Sequence, residues 1–161
     1  MTQTLVDLFK HNLWANLRIV EACAALSAED LEATCEGTYG ALGATLVHML
    51  ASEGRYVREY TKVEPDLPLA EGDKPDFDVL RKRVYMSGEA LIGIAGEATS
   101  EQVITGKYGE REYSMRAVVL LGQAINHATE HRTHITTILT QRGIEPPRID
   151  VLGYWMAGQS E

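Results

Sequence analysis

The sequence predicts an all-α fold, an up-down-type four-helix bundle with a short β-hairpin before the last long helix and a docked C-terminal tail. Three observations lead there: four long segments with apolar residues at three- and four-residue spacing, one connection rich in proline, and a glycine-centred turn between two short β-prone runs. The length of 161 residues, 45% hydrophobic and 24% charged, suits one domain over residues 1–161.

The first helix is expected from about Leu5 to Leu26, with Leu8, Phe9, Leu13, Leu17 and Val20 on one side and Thr4 with Asp7 as a capping box. Ser27 can cap a brief further turn, and Glu36 to Gly40 reads as loop. Leu42, Leu46, Met49 or Leu50, and Val57 mark the second helix, which must stop before Pro65 and Pro68. The stretch from about Glu64 to Pro75 is a surface crossover, and a third helix follows from about Phe77 to Ala98. Val103-Ile104-Thr105 and Arg111-Glu112-Tyr113 flank a turn at Gly106 to Gly109, giving the hairpin. Ser114 is the expected cap of the fourth helix, which runs to Gln141, where Gly143 and Pro146-Pro147 supply the stop. The final DVLGYWM is expected to dock on the bundle, with Trp14 and Trp155 as core and tail anchors.

A formal charge of −8, with 23 acidic against 15 basic side chains, opposes the phosphate neutralisation that dominates nucleic-acid affinity. Nucleic acid is therefore excluded as the expected partner. Cys23 and Cys35 form neither a CxxC pair nor a disulfide scaffold and read as reduced thiols. The amino-terminal stretch lacks the layout of a signal peptide, and no apolar run reaches the roughly 20 residues that span a bilayer. A soluble, cytoplasmic protein without membrane partners is expected.

The histidines break the apolar pattern. On the fourth helix Leu120, Ala124, His127, His131, Ile135 and Ile138 share one stripe. Residues at i and i+4 place their Cβ atoms about 5–6 Å apart, so two imidazoles can converge on one divalent ion. This is the geometry of HExxH without its glutamate, since Ala128 follows His127. The same spacing also serves hydrogen-bonded core histidines, and a metal site needs a third ligand. His48 is the candidate. Its stripe of Ala41, Ala44, Thr45, Ala51 and Ser52 is small enough to leave a cavity beside a metal, although small residues also permit close helix packing. His134 can replace His127 in the pair or line the pocket; the i, i+4 geometry favours His127 and His131. His11 reads as a packing or surface histidine. Among their neighbours, Glu130 or Asn126 can orient an imidazole, and Arg132 can pair with Glu53 across the bundle.

Three segments carry a family resemblance. HNLWANLRIVEACAALSAEDL resembles the opening helix of the DinB-like (YfiT-like) metalloproteins, with their Tyr-Asn-x-Trp-Ala-Asn start and Leu-Ser-x-Glu-x-Leu turn. TLVHMLASEGRYV resembles their second-helix histidine motif, and INHATEHRTHITTILTQRGIEPPRIDVLGYW their HxxxHR helix and proline-containing tail. The likeness covers nearly the whole chain, departing at His11, where tyrosine is usual, and at His134, where glutamine is common.

That resemblance implies a homodimeric four-helix bundle whose three histidines, mapped onto His48, His127 and His131, hold a divalent metal. Zinc or nickel is expected first, with iron or manganese also compatible with the ligands. It further implies a metal-dependent S-transferase in which a low-molecular-weight thiol, such as bacillithiol or mycothiol, loses its proton at an open metal position and attacks an electrophile. The alternatives are a non-catalytic metal-binding stress-response or interaction module, and a metal-dependent hydrolase. No catalytic or thiol-binding residue is assigned.

Overall fold

The computed structural model describes residues 2–159. Among them the chain forms α1 (Thr2–Ala24), α2 (Ala28–Leu31), α3 (Leu42–Thr61), α4 (Phe77–Glu97), the strands β1 (Val103–Tyr108) and β2 (Arg111–Arg116), α5 (Ala117–Gln141) and α6 (Val151–Ala157). The expected four-helix bundle with its hairpin is present. α1 packs chiefly on α4 and α3 on α5, while α3 with α4 and α1 with α5 close the ring. α1 and α3 therefore face each other across the bundle's diagonal.

Local chemistry sets most of the boundaries. Ser27 accepts from Asp30 N at 3.1 Å to cap α2, and Asp76 accepts from Asp78 N and Val79 N to start α4. Asp150 does the same for α6 through Gly153 N at 2.9 Å. Gly143, in the left-handed region at φ 72°, ends α5 as its position predicts, with Ile144 N returning to Leu139 O.

Three expectations need correction. Thr4 and Asp7 form no capping box, because α1 already begins at Thr2 and Asp7 accepts instead from Gln3 Nε2 at 2.8 Å. Ser114 does not cap α5: it lies within β2, paired with Thr105, and α5 follows the strand directly at Ala117, whose N–H is satisfied by Gln102 O at 2.8 Å. The strands accordingly run longer than expected, with the turn tightened to Gly109 and Glu110. Trp155 is 61% exposed and anchors nothing in the core. Tyr154 docks the tail, its ring 5.5 Å from Trp14 and 5.8 Å from His11. His11 Nε2 reaches Ile149 O at 2.8 Å, so this histidine packs as anticipated.

The core has two apolar zones. One gathers residues such as Ile19, Leu46, Leu80 and Ile138; the other gathers Phe9, Tyr56, Leu91 and Leu121. Glu53 on α3 and Ser87 on α4 fall between the two zones, while Arg132 on α5 lies between Ala128 and Ile135 of the first, so buried polar residues cross the bundle near its middle. This layer holds the turn of α5 on which His131 sits.

Candidate metal centre

Glu53 is buried at 1% exposure and would be costly there as an isolated charge. Its Oε1 accepts from Asn12 Nδ2 at 2.6 Å and Asn16 Nδ2 at 2.8 Å, and its Oε2 accepts from Ser87 Oγ at 3.0 Å. The two asparagines turn their carbonyls to Arg132, whose Nη1 donates to both at 2.6 and 2.7 Å. The Glu53–Arg132 pairing across the bundle thus runs through a bridge of two amides, which sequence reasoning missed. Burial raises the Glu53 carboxyl above its ordinary range, against the opposing pull of its three donors and Arg132. It also lowers the Arg132 guanidinium to about 10.

Arg132 follows His131, so the network fixes the turn of α5 that carries the histidines. His127 and His131 project from that turn towards His48 on α3. His48 Nε2 lies 3.2 Å from His127 Nε2, and His131 Nε2 lies 3.1 Å from the same atom. The three residues offer ligand atoms that all fall within 4.8 Å of one another, close enough to bind one metal ion. Two nitrogens bound tetrahedrally at about 2.0–2.1 Å stand about 3.3–3.4 Å apart, and somewhat closer in an octahedral arrangement. The observed spacing fits a shared ion. Burial first, then the adjoining rings, lowers His127 and His131 to about 4, which keeps both imidazoles neutral and their lone pairs available.

The groups behind the rings differ from expectation. Neither Glu130 nor Asn126 bonds an imidazole, and the buried Nδ1 atoms of His127 and His131 have no hydrogen-bond partner among the described residues. His48 alone is oriented from behind: its Nδ1 meets Tyr39 Oη at 3.0 Å and Glu71 Oε1 at 3.2 Å, while the Tyr39 ring stacks on it at 4.2 Å. Tyr39 comes from the loop before α3 and Glu71 from the crossover. His134 packs edge-on against His131 at 5.4 Å between ring centroids and stands outside the trio.

A cavity of about 880 Å³ opens on His48 and His127, walled by Tyr56, Leu120 and Gln123 and by the hairpin's Tyr113 and Met115. The small-residue stripe of Ala41 and Ala44 takes no part in it; the open space extends along α3 towards Arg55 and Arg58. Tyr113 Oη donates to Glu59 Oε2 at 2.6 Å and Lys62 Nζ to Thr105 O at 2.6 Å, which tie the hairpin to α3 as one cavity wall.

Fold and site together define a helical-bundle protein with three histidines placed to bind a divalent metal. The DinB family model matches residues 1–161, and the chain belongs to the DinB family. A DinB-like protein of Bacillus cereus, known from a crystal structure, is similar at a TM-score of 0.69 over 91% of this chain and 95% of its own. At 15% identity that likeness speaks for the shared fold. No curated protein matches the chain.

Proposed function

We propose that His48, His127 and His131 hold one divalent metal, zinc or nickel foremost, and that the protein is a metal-dependent S-transferase using a low-molecular-weight thiol. The observation that carries this reading is the meeting of three imidazole Nε2 atoms beside an open cavity that His48 and His127 line. A divalent cation held by His48, His127 and His131 would supply Lewis acidity that lowers the pKa of a bound thiol. The protein's own groups do the rest. Tyr39 and Glu71 aim His48, the depressed pKa values of His127 and His131 keep those two rings neutral, and Tyr56, Met115 and Leu120 give the cavity an apolar wall for an electrophile. Arg55, Arg58 and Lys107 place cations around the same space, suited to the carboxylates that small thiols carry.

Metal analysis of protein isolated without a His-tag, followed by thiol-conjugation assays with bacillithiol, mycothiol, glutathione and coenzyme A, tests the reading. About one equivalent of metal per chain and accelerated conjugation with one of these thiols are expected. His48→Ala and His131→Ala should lose both, and His11→Ala neither. Equal metal content in all three variants would refute the site; a metal-loaded protein inert with every thiol would refute the transferase.

We further propose a homodimer, supported by the apolar residues Val151, Leu152 and Trp155 exposed on α6, and a cytoplasmic location. No helix among the described residues is long and apolar enough to cross a membrane. Light scattering that returned a monomer mass would remove the dimer.

A further inference from the structure

A second cavity, of about 330 Å³, lies between α3, α4 and the crossover, bordered by Arg55, Arg58, Arg83, Pro65 and Pro68. Two of its arginines have acidic partners. Arg55 Nη1 stands 3.7 Å from Glu71, and Arg58 is 3.3 Å from Glu59 and 3.5 Å from Glu64. Arg83 is different: it is 3% exposed, its Nε has no hydrogen-bond partner, and no ion pair reaches it among the described residues. Glu53 supports its charge only through space and already accepts from Asn12, Asn16 and Ser87.

Buried guanidinium groups ordinarily meet a carboxylate or phosphate in a bidentate fork. Here the fold makes room for the guanidinium instead of pairing it. A Cβ on Gly54 would collide with the Arg83 Nη2, so the glycine on α3 is what lets the Arg83 head reach this position beside the cavity. Glu64 and Glu71 also border the space, but their side chains are 75% and 55% exposed and each is engaged by Arg58 or by Arg55 and His48.

We propose that this cavity binds the anionic group of a small molecule, a carboxylate or a phosphate, with Arg83 as the buried anchor and the half-exposed Arg55 and Arg58 at its edge. The proposal stands apart from the metal reading, because no histidine ligand takes part in it. The two spaces nonetheless share Arg55, Arg58 and Glu71, so a ligand anchored here lies next to the histidine cavity.

The test is calorimetric titration of the metal-free full chain with inorganic phosphate and, separately, with succinate, at an ionic strength held constant with chloride. Saturable binding of one of them at one site is expected, and which one binds identifies the source of the anion. Arg83→Gln should weaken it by about tenfold or more. Gly54→Ala should do the same by displacing the guanidinium, and alanine favours the helix, so this variant keeps the test decisive if Arg83→Gln folds poorly. No saturable binding of either anion overturns the proposal, as does binding that Gly54→Ala leaves unchanged. Working without metal keeps this result independent of the histidine site.

Discussion

Glu53 and the histidine trio share the middle of the bundle, one on the α3 turn beyond His48 and both joined to α5 at neighbouring residues, yet they are satisfied in opposite ways. Every oxygen of Glu53 accepts a donor, and the amide bridge hands its charge on to Arg132. In the trio, three ring nitrogens face one another at hydrogen-bonding distance, and the Nδ1 atoms of His127 and His131 find no partner among the described residues. A buried polar network complete within the protein is a structural element, whereas ring nitrogens converging on a common point are close enough to bind one metal ion. The difference separates two groups of buried polar residues that sequence position alone would merge, since Arg132 follows His131 directly.

The strongest way to break that comparison is to remove one member of each region. Glu53→Ala leaves Arg132 buried without its counter-charge and should destabilise the metal-free protein by about 3–5 kcal/mol. His127→Ala removes a ring whose hydrogen-bonding partners are other histidines, with one edge contact to Tyr56, and should cost less than about 1 kcal/mol in the same urea-denaturation measurement. Comparable losses in the two variants would show that the trio is as structural as the Glu53 layer.

Much of this was legible in the sequence, for identifiable reasons. The helices follow from three- and four-residue apolar spacing, and His127 and His131 stood out because they interrupt such a stripe with the geometry of a ligand pair. Asn12 and Asn16 did not, because a polar residue in a helix reads as surface unless its partner is known, and Glu53 lies across the diagonal, 41 and 37 residues away in sequence. Tyr39 and Glu71 come from segments without periodicity, where direction cannot be read. Arg83 was readable in principle: in the run Arg81-Lys82-Arg83 it alone keeps step with Leu80, Ser87 and Leu91 on the buried side of α4.

A smaller effect sharpens the contrast within the trio itself. Only His48 has partners behind its ring, so Tyr39→Phe combined with Glu71→Gln should loosen that ligand and lower metal affinity by about 10–100-fold. Folding stability should move by no more than about 0.5 kcal/mol, because Tyr39 and Glu71 are half-exposed. A chelator competition that gave the same affinity in the double variant would show that His48 is positioned by its helix alone.

The smallest effect is the pH dependence of the metal-free protein, because His127 lines an open cavity where solvent weakens electrostatic effects. His127 and His131 are held at about 4 in the fold against an ordinary value of 6.5. Between those values the unfolded chain binds protons that the folded rings refuse, so their contribution to stability falls as the pH drops through that window. Glu53 acts in the opposite sense. Its carboxyl is raised by burial, so above pH 4.5 the fold takes up a proton before the unfolded chain does, and acidification there favours the folded state. Replacing both histidines by glutamine should therefore flatten the loss of stability in acid, while Glu53→Gln should steepen it. Urea midpoints across the histidine window read both slopes. Parallel slopes in the two variants would mean that the two polar regions titrate as one.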